Sequence, residues 1–202
     1  MTVELTLSLQ EHLARTAMLH TRLCPRQVLG VRMARFACQW LGIDPAIRRK
    51  QIFVFMEIGG CAADGVVMVT GASPTNSLMK LIPYGKIAAT FVDLKTNRAV
   101  RVSEHHDCRR TAQQMRSDLN PWQAQLEAYQ IMPDYCLLTW QEVIPTENIP
   151  LTTRKFSVLC DRCGDKINEH CEVVIDSTTY CKPCAFGAYF QPVQEIEAAC
   201  VP

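Results

Sequence analysis

The chain lacks the features that mark membrane-spanning, secreted and strongly charged proteins. No stretch comes near the roughly 18 uninterrupted apolar residues that a membrane-spanning helix needs. The first residues, Met1-Thr2-Val3-Glu4, have neither the positive start nor the apolar run of a secretory signal. The formal net charge is only +1, which disfavours a generally basic nucleic-acid-binding protein. We therefore expect a cytoplasmic protein with no membrane-spanning helix, in which a local basic patch stays open but general binding to nucleic acid is disfavoured.

Sequence signatures of several common enzyme classes are missing as well. There is no phosphate-binding loop, no dinucleotide-binding glycine pattern and no nucleophile–base–acid trio. Kinase, nicotinamide-dependent and hydrolase chemistry therefore have no support.

What is present is an ordinary globular composition. The 202 residues are 48% hydrophobic and 20% charged, which fits one core domain with a small appendage. Pro145–Pro150 contains two prolines and few large apolar residues, so it is the predicted boundary. We predict a core domain over residues 1–145 and a small zinc-finger domain over residues 151–202. Helical patterns among hairpin-like strands favour an α+β class for the core.

Three helix starts are marked by capping residues. Ser8–Glu11 is a capping-box pattern ahead of the first helix. Cys24 precedes Pro25, which suits the first position of a second helix, and Gly42 is a suitable stop. Asn120-Pro121 predicts a further helix start.

Strand patterns, rich in β-branched and aromatic residues, are spread between these helices. They occur at Gln51–Ile58, Leu78–Pro83, Lys86–Asp93, Arg98–Ser103 and Tyr135–Ile144. Tyr84-Gly85 predicts a turn between two of them. Cys61–Val69 is a short apolar run that fits a helix, although its composition leaves the assignment open.

Eleven cysteines need an explanation in a reducing compartment, and their odd number excludes a complete intramolecular disulfide framework. Cys160 and Cys163 form one C-x-x-C pair, Cys181 and Cys184 a second, with 17 residues between the pairs. This spacing predicts one structural zinc per chain in a zinc-ribbon or treble-clef-like tail, with all four metal positions filled by protein. Iron is the second choice of metal. Four reduced cysteines or two labile disulfides are disfavoured, because so small a segment rarely folds without a metal or bridge.

The tail itself is acidic. From Leu151 onward it holds five Lys and Arg against seven Asp and Glu, a net charge of −2. That charge disfavours binding to the phosphate backbone of a nucleic acid and favours contact with another protein.

A second group of N and S donors lies near the N-terminus. Cys24, at a helix start, feels the positive end of the helix dipole, which favours the thiolate. His20 lies just upstream, and Cys61 follows a glycine turn. Together the three would leave a fourth metal position open, as in exchangeable or catalytic sites. The alternative is a helix-cap cysteine and a hydrogen-bonded histidine.

Five motifs follow in order along residues 12–105. They are His20-x-x-x-Cys24-Pro25-x-x-x-x-Gly30-x-Arg32-Met33-Ala34, Cys61-x-x-Asp64-Gly65, Thr70-Gly71 with Asn76 and Leu78, Gly85-Lys86-x-Ala88 and Ala99-Val100-Arg101-Val102. In this order they resemble the family of the formylmethanofuran dehydrogenase component FmdE. The two C-x-x-C pairs resemble the zinc-finger tail that many members of this family carry.

The resemblance implies an α+β core, an intertwined homodimer and a cavity lined by the His/Cys motif. The placement of Cys61 beside Cys24 in that cavity rests on the resemblance. It also implies a link to molybdenum- or tungsten-dependent one-carbon (formylmethanofuran/formate) metabolism, with such an oxidoreductase as a partner. Cys24, Cys61, Asp64 and Lys86 are the candidates for catalytic roles. Asp64 either orients His20, joins the metal or caps a helix.

Two departures from the family pattern concern the core metal. Arg22 stands where the family has a second histidine, and Ala72 where it often has a cysteine. A guanidinium beside a cation is unfavourable unless an anion shares the pocket. Weak metal binding, metal with an anionic ligand, and loss of the metal all remain open.

Two further features receive simple interpretations. Arg32 is interpreted as a surface ion pair. The run His105-His106-Asp107-Cys108 is interpreted as the exit from a strand, where neighbouring side chains point to opposite faces and do not share an ion.

Three functions stay under consideration. The first is a metal-dependent enzyme or cofactor-handling protein, and the second is a non-catalytic accessory protein that docks a partner through the finger. The third, a DNA-binding regulator, is disfavoured by the acidic tail.

Overall fold

The computed structural model describes residues 3–19, 22–146, 149, 157–168 and 171–191. The chain divides into two units, Met1–Pro150 and Leu151–Pro202. Within the described part of the chain, no helix is both long and apolar enough to cross a membrane.

The first unit combines helices with a five-stranded sheet, which confirms the predicted α+β class. Its helices are α1 (Leu9–Ala17), α2 (Pro25–Leu41), α3 (Cys61–Thr70), α4 (Cys108–Met115), α5 (Pro121–Ile131) and α6 (Asp134–Leu137). Its strands are β1 (Ile52–Met56), β2 (Met79–Leu81), β3 (Ala88–Asp93), β4 (Ala99–Glu104) and β5 (Leu138–Val143). The strand order is β2-β1-β3-β4-β5, with β2 parallel to β1 and the other pairs antiparallel.

The predicted helix boundaries are confirmed by their caps. Ser8 Oγ accepts the Glu11 N–H at 3.2 Å, and the Glu11 carboxylate accepts the Ser8 N–H at 2.8 Å. Gly42 ends α2 in the left-handed conformation, with φ of 73°. Asn120 Oδ1 accepts the N–H groups of Trp122 and Gln123 in the first turn of α5. These local hydrogen bonds need no tertiary context, which is why the sequence predicts them well.

The order of the strands differs from the hairpin-like arrangement that the sequence suggested. β2 and β3 are neighbours along the chain, but β1 lies between them in the sheet. β1 therefore has a hydrogen-bonded partner at each edge, and all five of its residues are buried. α3 forms the crossover from β1 to its parallel partner β2.

Helix α4 was not predicted from the sequence. Only Cys108 and Ala112, one turn apart, are buried in it, and most of its other residues are polar. A helix of eight residues is shorter than the window of about 11–18 residues over which an apolar period can be recognised.

Arg32 is not the surface ion pair that the sequence suggested. Its side chain is only 11% exposed. The guanidinium donates to the carbonyls of Tyr129 at 2.7 Å and Met132 at 2.6 Å, and to the Asp134 carboxylate at 2.8 Å. Arg32 therefore ties α2 to the end of α5, because those carbonyls have no helical N–H partner beyond the last turn.

The approach of α2 to α3 depends on two glycines. A Cβ atom on Gly30 would collide with the carbonyl of Ala62. A Cβ atom on Gly65 would lie 2.5 Å from the Gln27 oxygen and 2.7 Å from the Val31 nitrogen. The obstacles are backbone atoms, so an added methyl group would force the helices apart.

We predict that Gly30→Ala and Gly65→Ala each lower the free energy of unfolding by roughly 1–3 kcal/mol, as overpacking usually does. The loss should occur even though alanine is the better helix former. Gly59→Ala is the control, because its Cβ would meet nothing within 4 Å. Urea unfolding of the three variants tests this, and equal stability of all three would refute the close packing.

His12 is a buried histidine held in its neutral form. Arg35 Nη1 lies 2.8 Å from His12 Nδ1, and because a guanidinium only donates, Nδ1 must accept. Burial, followed by the positive charge of Arg35, lowers the pKa of His12 below its ordinary value.

Stability should therefore fall as the pH drops below about 6.5, the ordinary histidine pKa, because the unfolded chain then gains a proton that folded His12 does not take up. The slope from this group is at most about 1.4 kcal/mol per pH unit and ends at the lowered pKa of the folded state. His12→Gln keeps an acceptor for Arg35 and should flatten the slope. Urea unfolding of both proteins between about pH 5 and pH 8 is the measurement, and identical slopes would contradict the assignment.

Candidate metal centres

The second unit presents four cysteines from two β-hairpins and a short helix. One hairpin is β6 (Ser157–Leu159) with β7 (Lys166–Asn168), the other β8 (Val173–Ile175) with β9 (Thr178–Tyr180), and α7 spans Lys182–Phe186. Cys160 and Cys163 lie in the turn between β6 and β7. Cys181 caps α7 and Cys184 lies within it.

These four residues, the finger cysteines, have the geometry of a zinc tetrahedron. Their sulfur atoms all lie within 4.8 Å of one another, and Cys163 Sγ is 3.8 Å from Cys181 Sγ. A tetrahedron with sulfur about 2.3 Å from its centre has edges of about 3.8 Å. The donor set therefore fits one zinc ion with no open position.

The electrostatics of the cluster favour one thiolate ahead of the others. Burial raises the pKa of Cys160, but the backbone N–H groups of Cys181, Cys163 and Arg162 outweigh it and lower this pKa to about 6. The backbone of Asp165 lowers the pKa of Cys163, but burial and the neighbouring thiols outweigh that and raise it to about 12. Several negative sulfurs at this spacing need a bound cation to coexist.

Asp161 joins the two halves of the finger and was missed in the sequence. Its backbone N–H donates to the Thr179 carbonyl at 2.8 Å, and its carboxylate accepts the Thr179 N–H at 2.7 Å. Asp161 occupies the first variable position of its C-x-x-C pair, where only the cysteines carried a signal. Gly164 makes the predicted turn with φ of 76°.

The first unit brings two cysteines together at two helix starts. Cys24 is the N-terminal cap of α2, and Cys61 is the first residue of α3. The two side chains, which we call the core cysteine pair, lie close enough to interact, and both are partly exposed. The contact at Gly30 and Gly65 holds the two helix starts side by side.

The Cys61 thiol of the core cysteine pair does not ionise freely. Burial, followed by the contact with Cys24, raises the pKa of Cys61, and the charge of Asp64 raises it further. Two neighbouring thiolates repel each other unless a cation lies between them.

Gln27 positions the core cysteine pair and was missed in the sequence. It is fully buried, accepts the Cys24 N–H on Oε1 at 3.0 Å and donates from Nε2 to the Thr16 carbonyl at 3.2 Å. A cysteine followed three residues later by glutamine is a capping-box spacing with an unusual first residue, which is the signal that could have found it.

Arg22 and Ala72, the two departures from the pattern that the resemblance implies, each contact an identified group. The Arg22 guanidinium lies over the Trp122 ring, 4.9 Å from its centroid. The indole face therefore offsets part of its positive charge. Ala72 is fully buried, and its N–H donates to Thr70 Oγ1 at 3.1 Å.

The remaining predicted site residues lie in different places. Asp64 is in the first turn of α3, close enough to act on Cys61. Lys86 is exposed in the bend before β3. His20 lies outside the described residues. Asn76 is a turn residue that donates to the Gly71 carbonyl at 2.7 Å.

A pocket of about 240 Å³ lies on the sheet face opposite the helices. Its polar wall is the Glu57–Arg101 ion pair, with N–O distances of 2.6 and 2.8 Å. Its other walls include Phe55, Tyr84 and Ile144. This pocket does not include Cys24 or Cys61, so it differs from the cavity that the family resemblance implies.

Residues 105–108 do form the exit from a strand, as predicted, but their side chains are not arranged as in a strand. β4 does end at Glu104, but His105, His106 and Asp107 follow in a turn rather than in a strand. One donor atom from each of these three residues lies within 4.8 Å of the others. The expectation that their side chains point to opposite faces was therefore wrong.

Comparison with protein families gives two matches that together cover most of the chain. The model described as "FmdE, Molybdenum formylmethanofuran dehydrogenase operon" matches residues 19–139. The model described as "Prokaryotic dksA/traR C4-type zinc finger" matches residues 154–190. With the finger cysteines, this makes the C-terminal unit a four-cysteine zinc-binding region.

Individual proteins are similar to this chain as well. A probable S-adenosyl-L-methionine-binding protein of Archaeoglobus fulgidus is 34% identical over 93 residues, which is 45% of this chain and only 25% of that protein. A solved structure of a tungsten formylmethanofuran dehydrogenase FmdE-like protein from Syntrophus aciditrophicus has a TM-score of 0.58 at 17% identity. That alignment covers 95% of this chain and 100% of the solved one, so it supports the fold.

We predict that Cys163→Ser lowers the zinc content by about one ion per chain, because three thiolates leave the closed tetrahedron incomplete. Cys171→Ser is the matched control, since Cys171 lies between the pairs but outside the four-sulfur cluster. Elemental analysis of both variants tests this, with circular dichroism to follow the finger, because structural zinc contributes directly to folding. An equal loss of zinc in the two variants would contradict the ligand set.

Proposed function

Because the chain belongs to the FmdE family, whose model matches more than half of it, we propose that its core cysteine pair holds a metal ion in a protein that serves molybdenum- or tungsten-dependent one-carbon metabolism. The tail carries the structural zinc, while the core carries the function.

The observation behind this proposal is the contact between Cys24 and Cys61 at two adjacent helix starts. Each helix start offers backbone N–H groups and a positive dipole end, which stabilise thiolate. Burial and the neighbouring Cys24 nevertheless raise the pKa of Cys61, and a borderline or soft divalent cation bound by both sulfurs offsets that effect. The donor set therefore fits a metal.

His20 is the proposed third donor, from its place in the family motif. Three protein donors leave a position for an exogenous ligand, and a metal bound there supplies Lewis acidity. Gln27 fixes the Cys24 backbone, and Asp64 adds negative charge beside Cys61. Arg22 brings a positive charge into the same N-terminal segment, which favours an anionic ligand over a neutral one.

The metabolic assignment rests on the family description and on the solved neighbour, both of which name formylmethanofuran dehydrogenase. We expect the chain to act as a homodimer and to meet a molybdenum- or tungsten-containing oxidoreductase.

A non-catalytic accessory role is the second candidate. It is favoured by three exposed aromatic residues at the end of the finger: Phe186 is 74%, Tyr189 98% and Phe190 57% exposed. Aromatic residues are enriched where proteins meet. The acidic charge of the tail directs this candidate toward a protein partner rather than DNA.

Metal content distinguishes an occupied core from an empty one. Protein purified without added metal should contain about two metal ions per chain, one in the finger and one in the core. Cys24→Ser/Cys61→Ser should lower this by about one and leave the finger zinc in place, since the ligand sets are separate. Elemental analysis before and after mild chelation is the measurement, with the core metal leaving first because its site is open.

Cys38→Ser/Cys136→Ser is the matched control, because it removes two other thiols of the first unit and should keep both metals. A content of about one ion that the Cys24/Cys61 substitutions do not change would contradict the core metal. The accessory role would then take its place.

A further inference from the structure

The turn after β4 assembles a third donor set that neither cysteine site uses. His105, His106 and Asp107, which we call the turn cluster, each place a ligand atom within 4.8 Å of the other two. His106 Nε2 is 3.1 Å from Asp107 Oδ2, and the two imidazole rings lie 4.4 Å apart between centroids, tilted by 31°.

The backbone explains how three consecutive residues can face one point. The Cys108 N–H donates to the His105 carbonyl at 3.0 Å, which closes the turn, and Asp107 has φ of −95° and ψ of −1°. The Asp107 N–H also donates to His105 Nδ1 at 3.2 Å, which orients that ring. A strand would have sent the side chains of His105 and His106 to opposite faces.

Two arginines at the start of α4 have different relations to this cluster. Arg110 Nη2 lies 2.8 Å from Asp107 Oδ2, so it holds one of the donor atoms. Arg109 Nη2 lies 3.5 Å from the Glu104 carboxylate instead. Both side chains are exposed, and they follow one another in the same helix.

We propose that the turn cluster binds a borderline divalent cation through one ring nitrogen of each histidine and a carboxylate oxygen of Asp107. Two imidazoles and a carboxylate suit Ni²⁺, Cu²⁺ or Zn²⁺ better than Mg²⁺ or Ca²⁺, which prefer all-oxygen sites. The remaining coordination positions are open to water, because His106 is 81% exposed.

The surroundings limit the affinity. The cation competes with Arg110 for Asp107 and approaches the positive end of the α4 dipole. A cation bound to His105 Nε2 displaces the proton on that nitrogen. A cation bound to His105 Nδ1 displaces the hydrogen bond that Nδ1 accepts from the Asp107 N–H. The site therefore suits reversible binding rather than permanent retention.

The competition with Arg110 provides the sharpest test. Arg110→Gln frees the carboxylate and should tighten Ni²⁺ binding by about 2- to 5-fold, the value of an exposed ion pair. Arg109→Gln removes the same charge one residue away and should leave affinity nearly unchanged. Asp107→Asn, and His105→Ala with His106→Ala, should each weaken binding by roughly 10-fold or more.

Ni²⁺ is the probe, titrated calorimetrically into the full chain carrying Cys24→Ser and Cys61→Ser, so that the core cysteine pair cannot compete. Mild chelation beforehand removes weakly bound metal from the turn cluster and leaves the zinc in the finger. In the unaltered chain, paramagnetic Ni²⁺ should broaden the ring proton resonances of His105 and His106 first, which gives a local readout even if the double substitution disturbs folding.

Three results would overturn the proposal. The first is that Ni²⁺ does not selectively broaden the ring proton resonances of the two histidines. The second is that Arg109→Gln and Arg110→Gln change the Ni²⁺ affinity equally. The third is that Asp107→Asn leaves the Ni²⁺ affinity unchanged. Equal effects of the two arginine substitutions would indicate net charge alone. Unchanged affinity without the carboxylate would reduce the site to surface chelation by two histidines.

Discussion

The packing of α2 against α3 at Gly30 and Gly65 is the contact on which the core cysteine pair depends. Each glycine faces backbone atoms of the other helix, so the axes approach more closely than any side chain would permit. Because both helices begin at a cysteine, this packing also brings together two thiols and two positive dipole ends. Without it, Cys24 and Cys61 would be two separate helix-start cysteines. A packing constraint in the helix interiors thus creates the chemistry at their ends.

Repulsion between neighbouring thiolates affects both the finger cysteines and the core cysteine pair, but the two sites differ in how far the protein offsets it. Sulfurs at metal-binding spacing oppose each other's ionisation until a cation arrives. In the finger, backbone N–H groups lower the pKa of Cys160 to about 6, and the other three sulfurs complete a tetrahedron. In the core, the pKa of Cys61 is raised instead, by burial and by its contact with Cys24. On the proposed function, a metal in the core therefore binds less firmly and exchanges more readily.

The sequence predicted best what local hydrogen bonds and covalent spacing determine. The capping box at Ser8, the left-handed stop at Gly42 and the approach of the four finger cysteines all follow from short segments. It predicted poorly what depends on neighbours far along the chain. The place of β1 between β2 and β3 depends on pairing with strands far along the chain, and the role of Arg32 requires the carbonyl ends of α5. The turn cluster was misjudged because one residue beyond a strand already changes where side chains point.

On the proposed function, Arg22 and Ala72 limit the kind of core centre that this chain can form. Ala72 is fully enclosed and contributes only a backbone N–H to Thr70, so it leaves no donor behind. Arg22 engages Trp122 through its guanidinium, and that contact offsets part of its charge without removing it. With fewer protein donors and an added positive charge, the proposed metal needs an anionic ligand to complete its coordination. An open site of this kind suits a protein that accepts and passes on a ligand, whereas the closed finger suits one that only holds its fold.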